Sequence, residues 1–184
     1  MSVDFHPLRV IEVSSLTEDS IAVTFDVPEH LSDVFHFIPG QHVTVRAEVD
    51  GEDVRRSYSI CSNAAGGKLR VGIKRLPGGV FSTWAIDELK AGDVLEVMPP
   101  VGEFTIDPDP SMPGHRVAIA AGSGITPVLS LIATTLEIEP ASSWTLLYGN
   151  RTANTVMFLE DLEGLKDRYP NRLQLFHLLS REGS

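Results

Sequence analysis

Short segments in which apolar and polar residues alternate occupy the first half of the chain. Residues 8–16 and 20–27 are two such segments separated only by a short polar turn, which predicts an antiparallel hairpin. A third alternating strand is predicted over residues 42–49. It follows the turn signal Pro39-Gly40, in which proline presets φ and glycine permits the positive φ that comes next.

The same alternation of apolar and polar residues continues to the middle of the chain. Further strands are predicted over residues 56–62, 68–74 and 93–99. The proline-containing stretch 99–104 is expected to close the set. Short strands joined by glycine-rich turns favour a small antiparallel barrel.

Beyond residue 106 strands and helices alternate. Residues 107–114 are polar and rich in proline, which predicts a linker. Residues 116–121 are continuously apolar, which is typical of a parallel strand covered on both faces. The elements predicted after it are a helix over 128–136, a strand over 144–148, a helix with Phe158, Leu159, Leu162 and Leu165 on one side, and a strand over 173–179.

The predicted fold class is therefore β plus α/β. A six-stranded antiparallel barrel is followed by a partial doubly wound parallel sheet, because three strands with two helices between them make half of such a fold. The predicted division places the barrel domain at residues 1–106, the linker at 107–114 and the partial α/β domain at 115–184.

Charge and composition exclude several classes of function. Fifteen basic against 25 acidic residues give a net charge of −10, which argues against a protein that binds nucleic acid through a basic face. The single cysteine, Cys61, allows no disulfide framework and no cysteine-ligated cluster within this chain, and it is predicted to be a small core residue. The six histidines show no paired ligand spacing, so no metal site is predicted. No window suits a membrane span and residues 1–8 lack signal-peptide features, so a cytoplasmic location is expected.

Candidate chemistry first appears in the segment Arg56-Ser57-Tyr58-Ser59. On a strand, Arg56 and Tyr58 share a face because side chains alternate with a period of two. A planar ring system with a phosphate tail needs an aromatic to stack on, a guanidinium for the phosphate and a small hydroxyl near a ring nitrogen. The segment offers all three.

Two glycine-rich turns each precede a predicted helix. Gly78-Gly79 comes before the helix predicted over residues 80–86, and Gly122-x-Gly124-x-x-Pro127 follows the strand over 116–121. Glycines at a helix N-terminus bring backbone N–H groups close to an anion, and the helix dipole adds to the attraction. The second turn is a phosphate cradle but not the G-x-G-x-x-G fingerprint, because Pro127 replaces the third glycine.

In this order the motifs resemble those of the ferredoxin–NADP reductase family, and the resemblance covers nearly the whole chain. It includes the turn Phe37-x-Pro39-Gly40-Gln41 before the flavin strand. It implies that Arg56 contacts the flavin phosphate, that Tyr58 packs on the isoalloxazine and that Ser59 lies near flavin N5. Tyr58 and Ser59 would thus be the catalytic residues.

The resemblance assigns further cofactor-binding residues. Backbone groups of Ile73 and Lys74 are expected against the flavin. The residues expected to hold the flavin pyrophosphate are Gly79, Val80, Phe81, Ser82 and Thr83. Those expected to face the nicotinamide nucleotide are Gly122, Gly124, Thr126 and Pro127.

The cofactor preference rests on two local features. FAD is expected rather than FMN, because the Gly78-Gly79 turn and its helix suit a pyrophosphate. Asn150-Arg151 and Ser180-Arg181 end the second and third parallel strands, where the adenosine half of a dinucleotide is expected. An arginine fork suits a 2′-phosphate, and Ser-Arg resembles the NADPH-using branch of the family. NADPH is therefore expected, with NADH as the alternative and Arg151, Ser180 and Arg181 as its contacts.

The implied function is a flavin-dependent NAD(P)H reductase that passes a hydride from NADPH to FAD and then single electrons to an iron–sulfur or oxygenase partner. The pattern is similar to reductase components of multicomponent oxygenases, of the phenylacetyl-CoA epoxidase type. Those carry a C-terminal 2Fe-2S domain with four clustered cysteines, so this chain is expected to be a fragment with an open sheet edge, and a cluster is expected only in a missing domain. Two alternatives stand beside this function: a non-catalytic flavin-binding module that docks an electron-transfer partner, and a protein of this fold without a redox cofactor.

Overall fold

The computed structural model describes residues 4–181, in which the first half forms a six-stranded antiparallel sheet. Its strands are β1 (His6–Thr17), β2 (Ser20–Asp26), β3 (His42–Val49), β4 (Glu52–Ser59), β5 (Leu69–Lys74) and β6 (Val94–Val97). Their order in the sheet is β4-β3-β6-β1-β2-β5. An antiparallel bridge between Ile60 and Val71 joins the end of β4 to β5 and closes the sheet into a barrel.

This architecture confirms the predicted antiparallel barrel, but the closure lies elsewhere than expected. The stretch 99–104 was expected to close the barrel, whereas Val101 pairs with His42 beside β3 through two backbone hydrogen bonds of 2.9 Å. The bridge that closes the barrel depends on Ile60, which is fully buried just beyond β4. Alternation along the strands turns a continuous set of apolar side chains inward, among them Val43, Val45 and Val97, all at 0% exposure.

Helix α1 (Val80–Asp87) packs against this barrel core. Phe81 and Ala85 are fully buried in it, at 0% exposure. The helix was predicted over residues 80–86, and the glycine turn before it explains its starting point. Within its first turn, Val80 is exposed whereas Phe81 and Ser82 are buried.

The second half of the chain forms a three-stranded parallel sheet in the order β7-β8-β9. Its elements are β7 (Gly114–Ala121), α2 (Ile125–Ile138), β8 (Ser142–Asn150), α3 (Leu159–Arg168) and β9 (Leu173–Leu179). All five predicted elements are present. Helix α2 begins earlier than residue 128, so Pro127 is its third residue, where a missing N–H costs no intrahelical hydrogen bond.

The helices cover one face of the parallel sheet and leave the other bare, contrary to the expectation of two covered faces. On the covered face Ala120, Leu146 and Tyr148 are buried, whereas on the opposite face Val117 and Ile119 are 61% and 81% exposed. Both crossovers step across the sheet in the same direction. Because such crossovers share one hand, both helices lie on the same side.

Polar and apolar contacts join the barrel to the α/β half. Ser130 Oγ of α2 donates to the Ser62 carbonyl (2.6 Å), and Arg70 of β5 forms an ion pair with Asp161 of α3 at 2.8 Å. The Phe158 ring lies so close to Gly72 that a Cβ there would come within 2.8 Å of it. These contacts fix the position of the parallel sheet against the barrel.

Cys61 lies in the apolar cluster between the two halves and is 2% exposed. Burial raises the pKa of its thiol to about 12, and the neighbouring Arg70 offsets only part of the rise. The thiol is therefore protonated at neutral pH, in agreement with the predicted role as a small core residue. None of the helices within residues 4–181 has the length and hydropathy that a membrane span requires.

Candidate functional site

Strand β4 places Arg56 and Tyr58 on one face, as the alternation predicted. Arg56 is exposed, and its Nη1 donates a hydrogen bond to the Arg55 carbonyl (2.6 Å). Tyr58 is half-buried, with its ring centroid 5.7 Å from that of Phe81 in α1. Burial raises the pKa of Tyr58 to about 12 despite the opposing charge of Arg56, so its hydroxyl stays protonated at neutral pH. The strand thus offers a neutral aromatic surface beside an accessible cation.

Ser59 is the last residue of β4 and pairs with His42 of β3. Because it follows Tyr58 directly, its side chain lies on the other face of the strand. It is half-buried, and its hydroxyl has no hydrogen-bond partner among residues 4–181.

The N-terminus of α1 has no side-chain cap. Gly79 occupies the N-cap position, and Ser82 Oγ instead accepts a hydrogen bond from Leu76 N–H at 3.1 Å. A Cβ on Gly79 would lie 2.6 Å from this oxygen, so a side chain there would displace the Ser82 hydroxyl from its present position. The N–H groups of the first turn lack intrahelical partners by geometry, and no side chain satisfies them here. Backbone N–H groups at a helix N-terminus can bind an anion.

Two side chains of residues 79–83 are held inside the protein, so a ligand at this turn would meet mainly the backbone. Phe81 is buried in the core, and the Ser82 hydroxyl is held within the turn, whereas Thr83 is half-buried. Ile73 is likewise buried, at 1% exposure, which leaves only its backbone for a ligand. Lys74 is half-buried and lies 3.5 Å from the Asp19 carboxylate.

A cavity of about 850 Å³ opens at the carboxyl ends of the three parallel strands, on the side that faces the barrel. Residues of both halves line it, among them Lys74 from the barrel and Gly122, Asn150, Arg151 and Ser180 from the α/β half. Ligands of open α/β sheets bind at this end of the strands. The structure therefore brings together predicted residues from four separate segments of the chain.

The glycine loop at the rim of the cavity is held from within the protein. Thr126 is 3% exposed, and its hydroxyl donates to the Ser123 carbonyl at 2.7 Å, so this side chain braces the loop rather than facing the cavity. Tyr148 of β8 donates from its hydroxyl to the Gly122 carbonyl at 2.9 Å. Burial raises the pKa of Tyr148 to about 12, and the Asn150 side chain and the Met157 backbone offset only part of that rise. The donor is therefore permanent at neutral pH.

Tyr148 was not among the residues predicted from the sequence. It sits in a continuously apolar strand, where an aromatic side chain indicates only core packing. The partner of its hydroxyl is a loop carbonyl more than twenty residues earlier, which no local pattern reveals. Among the predicted residues, Gly124, Thr126 and Pro127 belong to the same loop and the start of α2 but do not line the cavity.

The two strand-end segments with arginine are joined by their backbones. Ser180 N–H donates to the Asn150 carbonyl (3.0 Å), and Arg181 N–H donates to the Arg151 carbonyl (2.9 Å). Both arginines are exposed, and neither side chain has a hydrogen-bond or ion-pair partner among residues 4–181. The two strand ends thus carry two exposed cations, of which Arg151 lines the cavity and Arg181 follows the lining residue Ser180. In the same described part of the chain, no group of three or more His, Cys, Asp or Glu residues is placed to hold a metal ion.

Comparison with known proteins agrees with this geometry. Residues 7–106 match the oxidoreductase FAD-binding domain and residues 118–184 match the oxidoreductase NAD-binding domain. The chain is 49% identical over 178 residues to a subunit of the 1,2-phenylacetyl-CoA epoxidase of Escherichia coli (strain K12), in a match that covers 97% of this chain and 50% of that protein. It is 37% identical to the ferredoxin reductase component of 3-ketosteroid-9-alpha-monooxygenase of Rhodococcus rhodochrous, in a match that covers 94% of this chain and 48% of that protein.

A solved structure shows the same fold. The flavohem-like FAD/NAD-binding domain of nitric oxide dioxygenase from Vibrio cholerae O1 biovar El Tor superposes with a TM-score of 0.83 at 24% identity, over 98% of this chain and 76% of that one. The chain spans about half the length of the two curated relatives named above. With both domain matches in the order found along the sequence, the chain belongs to the ferredoxin–NADP reductase family.

Proposed function

We propose that the chain is the flavin- and nucleotide-binding part of a reductase component that takes a hydride from NADPH and delivers single electrons to an iron–sulfur or oxygenase partner. The observation that carries the proposal is the cavity at the ends of β7, β8 and β9, whose barrel side includes Lys74 of β5, one of the candidate flavin residues. Bound FAD would supply the redox chemistry, accepting a hydride and releasing electrons singly. The domain boundaries proposed are residues 1–106 and 115–184, joined by 107–114.

The residues of the barrel fit a flavin dinucleotide. Tyr58 would hold the isoalloxazine by its ring face, and Ser59 would donate a hydrogen bond to the edge of that ring near N5. The exposed Arg56 would bind the phosphate. The α1 N-terminus, which has no side-chain cap, would hold the pyrophosphate through the backbone of residues 79–83, which supports FAD over FMN.

The residues of the cavity fit a pyridine nucleotide. The loop Gly122 to Pro127, braced by Thr126 and Tyr148, would hold the nicotinamide half next to the barrel. Arg151, Ser180 and Arg181 would hold the adenosine half, and the two unpaired guanidinium groups suit the 2′-phosphate of NADPH. Hydride transfer needs alignment rather than a general acid or base, so the task of these residues is to orient the nucleotide and exclude water.

Absorbance spectroscopy of the purified chain tests the proposal. We expect the folded protein to take up added FAD and show flavin bands, and we expect those bands to bleach when NADPH is added without oxygen. Flavin uptake without bleaching would instead support a non-catalytic flavin-binding module. A folded protein that stays colourless with both FAD and FMN would contradict the proposal and leave the fold without a redox cofactor.

Replacing Arg181 with alanine tests the cofactor preference. The change removes one cation expected against the 2′-phosphate, so we expect the Michaelis constant for NADPH to rise by about tenfold while that for NADH hardly changes. Steady-state assays with both nucleotides measure the ratio. Arg168→Ala on α3 is the matched control, since it removes an exposed arginine away from the cavity and should alter neither constant. Equal effects of Arg181→Ala on NADPH and NADH would reject the assignment.

A further inference from the structure

Three segments of the chain meet at Gly72, in the middle of strand β5. A Cβ on Gly72 would lie 2.8 and 3.0 Å from two ring atoms of Phe158 and 3.4 Å from the methyl carbon of Thr126. Both of these side chains are buried. The Phe158 ring thus occupies the space in which any other residue at position 72 would carry its side chain.

The segments that meet there carry different parts of the proposed site. Gly72 directly precedes Ile73 and Lys74, whose backbone groups are expected against the flavin. Thr126 belongs to the glycine loop expected to face the nicotinamide, and its hydroxyl braces that loop. The packing at Gly72 therefore lies between the strand proposed to hold the flavin and the loop proposed to hold the nicotinamide.

The segment around Phe158 is fixed on two sides. The φ of Phe158 is +58°, in the left-handed region, which a bulky residue adopts only where the surrounding structure imposes it. On one side the Tyr148 hydroxyl, which donates to the Gly122 carbonyl, also lies 3.4 Å from the Met157 carbonyl oxygen. On the barrel side the Arg70 guanidinium lies 5.4 Å from the centroid of the Phe158 ring. The ring therefore contacts β5 from a segment that is itself bonded to the glycine loop.

We propose that Phe158 is a positioning residue for hydride transfer, whose ring sets the separation between the glycine loop and strand β5. The inference rests on the function proposed above. The ring contacts β5 at Gly72, the one residue of that strand without a side chain, so the size of the ring decides how closely the two segments approach. Hydride transfer depends steeply on the distance and orientation of donor and acceptor. A misplacement of about 1 Å can lower the rate by about 100-fold.

Two substitutions change this packing in opposite directions. Phe158→Leu leaves a gap beside Gly72, whereas Gly72→Ala places a methyl group where the ring lies, so that the ring must shift. In the purified full chain with FAD added, we expect each to lower the rate constant of anaerobic flavin reduction at saturating NADPH by about tenfold. The dissociation constants for FAD and NADP⁺ should stay within about twofold of the wild type, because neither side chain is proposed to contact a ligand. Stopped-flow absorbance measures the rate constant, and calorimetry measures the dissociation constants.

The double variant tests whether the two effects come from the same contact. In Gly72→Ala/Phe158→Leu the added methyl group fills part of the gap that the smaller side chain leaves. We therefore expect the rate constant of reduction to return to within about threefold of the wild type, whereas independent effects would multiply.

An absorbance signal reports the same geometry without turnover. A nicotinamide stacked on a reduced flavin gives a long-wavelength charge-transfer band, which is recorded after NADP⁺ is added to the chemically reduced protein. We expect this band to be weaker in both single variants and restored in the double variant. Phe35→Leu is the matched control, since Phe35 is 3% exposed in the barrel core with its ring centroid 5.7 Å from that of His6. It should lower the melting temperature as Phe158→Leu does, and change neither the rate constant nor the band.

Each result has one meaning. Equal rate constants in the wild type and the single variants would overturn the positioning role and leave the proposed function intact. A loss of rate that Phe35→Leu shares would also overturn it, because that loss would follow from lower stability. If Phe158→Leu does not fold, Gly72→Ala carries the same expectation by itself. If the folded wild-type chain binds no flavin, or binds flavin that NADPH does not reduce, the proposed function and the inference fail together.

Discussion

Replacing Arg56 with alanine is expected to weaken FAD binding by about 100-fold, the largest effect on affinity that the structure predicts. The Arg56 side chain is exposed, shares the face of Tyr58 on β4, and bonds only to the Arg55 carbonyl. It has no acidic partner among the described residues, so a flavin phosphate would be its strongest contact. Titration of flavin fluorescence with the purified protein measures the dissociation constant.

The neighbouring residue gives a closely matched control. Arg55 lies on the same strand with the same charge and is also exposed, but it points to the opposite face and pairs with Asp53 at 2.8 Å. Arg55→Ala removes the same charge from the chain and should leave FAD affinity within about twofold of the wild type, because exposed ion pairs contribute little. If the two variants lose affinity equally, the effect comes from net charge, and the position assigned to the flavin phosphate is wrong.

Replacing Gly40 with alanine is expected to destabilise the protein by about 4 kcal/mol or more, a large part of the stability of an ordinary domain. Gly40 has φ +97°, where other residues are strained, and an added Cβ would lie 1.9 Å from the Phe104 carbonyl oxygen. The obstacle is backbone and cannot swing aside. Relieving the overlap would move the segment around Phe104 away from Gly40. Urea unfolding followed by circular dichroism measures the change.

Gly92 provides a control that measures the cost of backbone strain without the cost of steric overlap. Its φ of +102° is almost the same, but nothing lies within 4 Å of the position that a Cβ would take. Gly92→Ala should therefore cost only about 1–2 kcal/mol, from the backbone conformation alone. The prediction for Gly40 would be refuted if the two alanine variants were equally stable, since the close approach to Phe104 would then have no energetic consequence.

Local patterns in the sequence predicted much of this structure. The strands of the barrel, the helix after Gly78-Gly79 and the alternation of strands and helices after the linker all follow from period and turn chemistry, which depend on neighbouring residues only. The shared face of Arg56 and Tyr58 follows in the same way. The positive φ predicted after Pro39 is found at Gly40, because the turn itself demands it.

Those local patterns do not predict contacts between residues far apart in the sequence. The barrel closes through Ile60 and Val71 rather than through residues 99–104, because closure depends on which strand ends meet in space. Residues 116–121 read as doubly covered, yet one face is bare, since apolar composition cannot show on which side the crossovers run.

For this protein the sequence by itself determined the order of elements, the two glycine turns and the residue types suited to a flavin and a dinucleotide. Only the tertiary structure decided which of those side chains are free to act. Thr126 and Ser82, both polar and well placed in the motifs, are hydrogen-bonded within the protein, whereas the side chains of Arg56 and Arg151 remain exposed. The physical reason is that a side chain is free only when the folded backbone and its neighbours offer it no hydrogen-bond partner, and residue types alone do not show where those groups lie.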